Sequence, residues 1–228
     1  TGRSSFAMQL GITIPLQKFL KWKSPVYGEP ENLFFCWDLH VIRFHGENTL
    51  MAVNASNAFT VILWKMEWAD WENLGQRTLE AIRMGLLNAG YGEETVEAYF
   101  RAAGSASFTK THGRRPVAAL NRMTDFLRQA PMKLEVDRQF QSAHCRFVNG
   151  NLLKTAGFDL PGRPEGFLNE DMEKNGIKPD RCAHEPSPGA EKCPCRRKCP
   201  RRGNCEECLA FHRDQKPGIP AACRKKKR

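Results

Sequence analysis

The sequence predicts an α+β fold: an antiparallel sheet of about four or five strands packed by about three helices, plus a small irregular metal-binding module at the C-terminus. Three observations predict it. The runs 33–44, 49–53 and 59–64 are rich in apolar and β-branched residues and are separated by Gly46-Glu47-Asn48 and Ala55-Ser56-Asn57-Ala58, as in a strand meander. Segments with apolar residues at three- and four-residue spacing follow at once. Six of the nine cysteines then crowd between Cys193 and Cys223, in a Gly/Pro-rich stretch with little apolar content of its own.

In chain order, Met8 to Ile14 is β-capable and reads as following the natural start at Met8. Pro15 opens a short amphipathic turn through Leu16, Phe19 and Leu20, and a Pro/Gly-rich loop spans Ser24 to Asn32. The apolar run Val61-Ile62-Leu63-Trp64 implies a sheet covered by helices. Trp71 to Ala89 carries Leu79, Ile82 and Leu86 on one side and stops at Gly90, and Glu93 to Ala103 carries Val96 and Phe100 and stops at Gly104. Trp64, Trp68 and Trp71 read as a helix–sheet seam. An extended piece, Ser105 to Thr111, leads to a third helix from Pro116 with Val117, Leu120 and Leu127 on one face and Pro131 beyond its end. Phe140 to Phe147 suits strand or helix, and Ala156 to Phe167 reads as irregular but packed. The division that follows is an α+β domain over 8–177, a linker over 178–192 and a basic cysteine-rich module over 193–228.

The candidate metal ligands are Cys193, Cys195, Cys199, Cys205, Cys208, His212 and Cys223. Cys205 and Cys208 form a C-x-x-C pair with His212 four residues on, the spacing that wraps a loop and a first helical turn around a tetrahedral ion. Cys199 or Cys223 can close such a site, and Cys182 with His184 is a weaker second pair. Zinc is the preferred occupant because the ligand set mixes thiolate with imidazole; an iron–sulfur cluster is the alternative, and a disulfide framework is the third reading. Arg196, Arg197, Lys198, Arg201 and Arg202 surround the thiols and offset the negative charge of a metal–thiolate centre.

The formal net charge of +10 is concentrated in the tail, where residues 180–228 hold 14 Lys+Arg against 6 Asp+Glu and end in Arg224-Lys225-Lys226-Lys227-Arg228. A basic folded module suits nucleic acid or a protein partner. No apolar run approaches the roughly 20 residues of a membrane helix, so no membrane partner is expected. No charged-then-apolar leader opens the sequence, and with scattered thiols the expected setting is cytoplasmic. Phosphate-binding glycine loops, G-x-S-x-G and H-E-x-x-H are absent, and an enzyme is not the leading expectation. The most informative polar stretch outside the tail is Phe108-Thr109-Lys110-Thr111-His112-Gly113-Arg114-Arg115-Pro116. A Thr/Lys/Arg loop feeding a helix N-terminus can hold an anion such as a phosphate.

Residues 8 to about 177 resemble an uncharacterised bacterial family, domain-of-unknown-function family 6933. The resemblance rests on MQLGITIPLQKFLK, LFFCWDLHVIRFHGENTLMAVNASNAFTVIL and FTKTHGRRPVAALNRM. It marks Lys110, Thr111, Arg114 or Arg115, and Asn121 as the positions of that family's last motif, and it carries no established activity. The expected function is therefore that of a non-enzymatic binding protein whose zinc module docks nucleic acid or a protein. One alternative is an enzyme or sensor for a phosphorylated small molecule near Lys110 and Arg114, and another is an iron–sulfur or thiol redox sensor.

Overall fold

A computed structural model of the chain describes residues 7–179. These belong to the first of two units into which the chain divides, 1–180 and 181–228. Their centre is a five-stranded sheet in the order β4-β3-β2-β1-β5, made of β1 (Met8–Ile12), β2 (Cys36–Phe44), β3 (Glu47–Asn54), β4 (Thr60–Leu63) and β5 (Ala106–Lys110). The expected meander is present, since β2, β3 and β4 pair antiparallel. The sheet as a whole is mixed rather than antiparallel, because β1 runs parallel to both β2 and β5. The cause is connectivity. A helix stands between β1 and β2, and three helices stand between β4 and β5, and a helical crossover returns the chain to the same end of the sheet.

Seven α-helices are present among the described residues, against about three expected. They are α1 (Ile14–Leu20), α2 (Trp68–Glu72), α3 (Leu74–Asn88), α4 (Glu93–Ala103), α5 (Arg114–Arg128), α6 (Ser142–Asn149) and α7 (Pro164–Lys174). The predicted helix over 71–89 is divided at Asn73, whose non-helical backbone ends α2 and begins α3. The predicted helix at Pro116 starts two residues earlier, with the proline in the first turn, where its missing N–H leaves no bond unmade. α7 opens with Pro164 at its N-terminus, inside the stretch read as irregular.

The two faces of the sheet have different coverings. Leu10, Trp37, Leu39, Leu50 and Val61 pack with Leu16 of α1, Ile82 and Leu86 of α3, Val96 and Tyr99 of α4 and Leu168 of α7. On the opposite face Ile42, Phe44, Met51, Val53 and Ile62 pack with Leu120, Met123 and Leu127 of α5 and Val148 of α6. Successive residues of β3 thus serve opposite cores, which is why its sequence reads as a continuous apolar run. Trp64 and Trp71 are buried, one in each core, whereas Trp68 is exposed and outside the expected seam. Among the described residues no helix is long and apolar enough to cross a membrane. Residues 180–192 of the expected linker and all of 193–228 lie outside the described residues; Lys178, inside them, accepts a hydrogen bond from Thr95 on α4 through its carbonyl (3.2 Å).

Candidate binding site at the carboxyl ends of β1 and β5

β1 and β5 lie side by side and run parallel, but the chain leaves them towards opposite faces. α1 packs in the core of one face and α5 in the core of the other. Where two neighbouring parallel strands diverge in this way, a crevice opens beyond their carboxyl ends, and ligands of open α/β sheets bind at such points. The segment Lys110-Thr111-His112-Gly113-Arg114-Arg115 sits there.

Below it, the α5-facing side of the sheet is polar over β1, the first half of β2, and β5. Gln9, Thr13, Asp38 and Thr109 are all buried. His112 folds back onto this layer. Its backbone N–H donates to Asp38 Oδ1 (3.2 Å), its ring Nδ1 stands 2.7 Å from the same oxygen, and its Nε2 stands 3.3 Å from Gln9 Oε1. The Asp38 and His112 side chains are 0% and 2% exposed. Burial of a carboxylate at this depth requires such a partner, and the pair is the local solution. Space for it comes from Gly11, where a Cβ would stand 2.2 Å from Asp38 Oδ1 and 3.0 Å from the His112 ring. Gly28 brings the preceding loop equally close, for a Cβ there would lie 2.0 Å from Gln9 Oε1. That loop is tied to the edge of β5 by the Lys110 N–H donating to the Val26 carbonyl (2.9 Å).

One atom of the layer is left over. Asp38 Oδ2 is buried and has no hydrogen-bond partner. Buried carboxylate oxygens without a donor are rare and costly, and a ligand group or ordered water normally supplies one.

Above the pair, Gly113 (φ 109°) caps α5 without a side-chain bond, and Arg114 and Arg115 are exposed. The first helical hydrogen bond is Val117 N–H to the Gly113 carbonyl, and Pro116 has no N–H, so the amides of Arg114 and Arg115 are the free donors of this helix end. Lys110 Nζ lies 4.0 Å from the ring centre of Tyr27, itself exposed. Of the expected anion residues, Lys110 ends β5, Thr111 lies in the loop that follows, and Arg114 and Arg115 open α5. Asn121 lies apart from them: it is exposed on α5, seven residues or about 10 Å along the axis from Arg114.

The site holds a carboxylate–imidazole pair, and two neighbouring groups, the Cys36 thiol and the Thr109 hydroxyl, are engaged elsewhere. Cys36, beside Gln9 in the β1–β2 register, has its thiol pushed up to about 12 by burial and then by the Asp38 charge. It is therefore held as the thiol and points to the Asn32 carbonyl (3.4 Å). The Thr109 hydroxyl is engaged with the Lys110 carbonyl at 3.0 Å. His40, on the same face of β2, accepts or donates at Nδ1 with the Thr13 hydroxyl (3.0 Å), and its proton affinity is lowered by burial and by Arg128. The sequence reading passed over Asp38 and the role of His112. The available cue was Asp38 itself, an acidic residue in the middle of a strand whose other positions are mostly apolar.

The seven proposed metal ligands, Cys193 to Cys223 with His212, lie outside the described residues. Among the described residues no group of three or more His, Cys, Asp or Glu side chains is placed to hold a metal ion, and Cys36 and Cys145 are free thiols.

A family model described as Domain of unknown function (DUF6933) matches residues 9–163. The chain belongs to this family. No curated protein and no solved structure matches it.

Proposed function

We propose that this member of a family of unknown function is a binding protein, and that its α+β domain takes a small phosphorylated or carboxylated molecule at the carboxyl ends of β1 and β5. The observation that carries the reading is the partnerless Asp38 Oδ2 beneath the loop of Lys110, Thr111, Arg114 and Arg115. The anionic group would meet the free amides at the start of α5 and the cationic side chains of Arg114 and Arg115, and a hydroxyl or amino group of the same ligand would donate to Asp38 on displacing the groups that bury it. Thermal unfolding in the presence of phosphate, pyrophosphate, sugar phosphates and nucleotides tests this. A true ligand at about 100 times its Kd stabilises the fold by about 2.7 kcal/mol, an effect that Arg114→Ala with Arg115→Ala should abolish and Asn121→Ala should leave intact. Absence of any stabilisation at millimolar ligand overturns the reading.

A second reading concerns the tail and is favoured by the spacing of Cys205, Cys208 and His212. We infer that these, with Cys193, Cys195, Cys199 or Cys223, hold zinc in a basic module that docks nucleic acid or a protein partner. Metal analysis of the full chain should give one to two zinc ions, reduced by Cys205→Ser and Cys208→Ser. Iron in place of zinc would transfer the reading to a redox sensor.

A further inference from the structure

We propose that the domain has a second ligand site, at the β4 edge of the sheet, for a small molecule with an apolar body and one anionic group. Beyond β4 the chain lays residues 139–141 against the outer edge of that strand. Trp64 N–H donates to the Gln139 carbonyl (2.7 Å), Gln141 N–H donates to the Ile62 carbonyl (3.1 Å), and Leu63 bridges Phe140. Between this segment and α3 lies a cleft of about 560 Å³, within the ordinary range for small-molecule sites. Its lining combines apolar Leu63, Met84 and Phe140 with Arg77, Arg83 and Arg138 and one carboxylate, Glu80.

The three guanidinium groups are not equivalent. Arg77 is paired with Asp70 (3.0 Å) and Glu80 (2.5 Å) and also bonds the Gln139 side chain. Arg83 is paired with Glu97 (2.6 Å) and Glu93 (3.4 Å) and lies over the Phe100 ring. Arg138 is exposed and has no carboxylate partner among the described residues. Arg77 and Arg83 are thus each held between two carboxylates, which fix them as walls, and Arg138 is the one guanidinium of the three left to meet a ligand anion. One unpaired guanidinium next to apolar side chains matches a ligand with one carboxylate, sulfonate or phosphate monoester on a hydrocarbon or aryl body. The site shares no residue with the loop at the carboxyl ends of β1 and β5, so either can fail without the other.

The test uses 8-anilinonaphthalene-1-sulfonate, an aryl body with one sulfonate, titrated into the full chain and followed by fluorescence. Saturable binding is expected. Arg138→Gln, a change at an exposed position, should weaken it about tenfold or more, the loss that goes with one charge-assisted hydrogen bond. Uncharged N-phenyl-1-naphthylamine should be insensitive to the same change. Met84→Trp should block both dyes by filling the cleft, and Arg114→Ala should affect neither. Octanoate should displace the sulfonate and octylammonium should not. Equal dye affinity for wild type and Arg138→Gln, or equal displacement by octylammonium, overturns the proposal, and the exposed Arg138 variant decides alone if Met84→Trp fails to fold.

Discussion

Replacing Gly11 by alanine should destabilise the domain far more than one methyl group normally does. β1 is the second strand from one edge and is hydrogen-bonded on both sides, to β2 and to β5, so its backbone cannot step away from the new Cβ. The atom in the way is Asp38 Oδ1, 2.2 Å from that Cβ, and the same oxygen takes both the N–H and the ring Nδ1 of His112. Relief therefore requires Asp38 to turn and the buried pair to open. Overpacking costs about 1–3 kcal/mol and a weakened charge-assisted bond about 1.5–3 kcal/mol, so a total of about 2–4 kcal/mol is expected where the two partly overlap. At about 2–4 °C per kcal/mol for a domain of this size, the midpoint should fall by roughly 4–16 °C. Gly166 is the control: it lies in α7 with nothing within 4 Å of its added Cβ, so Gly166→Ala should gain about 0.5–1 kcal/mol from helix propensity. Denaturant and thermal unfolding followed by circular dichroism measure both. In an Asp38→Ser background, which removes the obstructing oxygen, the Gly11→Ala penalty should shrink by more than 1 kcal/mol. A Gly11→Ala protein as stable as wild type would refute the close approach on which the candidate site rests.

Other outcomes follow from the buried titratable groups. His144 is fully buried against Phe44, and neither ring nitrogen makes a well-formed hydrogen bond; burial, and secondarily the charge of His45, lowers its proton affinity, although Glu135 and then a weak approach of the Met132 backbone act the other way. A base whose folded pKa is depressed contributes fully above its unfolded value near 6.5 and loses that contribution as pH falls below it, so stability should decline between pH 7 and 5. His144→Phe should flatten that decline and add about 1 kcal/mol at pH 7 by removing an unsatisfied polar group, whereas a steeper acid loss in the variant would contradict the assignment. Cys36 and Cys145, both pushed up to about 12 chiefly by burial, should be alkylated in the native chain at pH 8 far more slowly than in urea, as read by peptide mass spectrometry. Comparable native and denatured rates at either thiol would mean that its surroundings open to solvent.

The local patterns that make a helix or strand were legible; what depends on pairing was not. Glu93–Ala103 ends where Gly104 was expected to end it, and β3 and β4 fall within a residue or two of their apolar runs. The direction of β1 was hidden because a fully buried five-residue strand looks the same in a parallel or an antiparallel ladder. α7 was obscured because Gly157, Pro161, Gly162 and Pro164 make the stretch look like loop, although Pro164 is a helix-starting residue there. In the site, the cationic loop was readable as a cluster in sequence, but Asp38 and His112 are 74 residues apart and meet only through the β2–β1–β5 register.

β2 records in its own alternation where the polar half of this sheet face ends and the apolar half begins. On the face towards α5 it presents Asp38 and His40 and then Ile42 and Phe44, polar beside β1 and apolar beneath the second core. α5 spans this boundary, with its first turn above the Asp38–His112 pair and Leu120, Met123 and Leu127 locked against Ile42, Met51 and Val53. A ligand held at its first turn is thus held by the same rigid element that closes the core, and its binding free energy should appear as resistance of α5 to local opening. Amide hydrogen exchange with and without a stabilising anion should show slower exchange along 114–128 and in the loop 108–113. The α3 amides, on the other face of the sheet, should change no more than the global stability does. Equal protection of α3 and α5 in conditions where local opening dominates would mean that the anion binds elsewhere, for example through the basic tail.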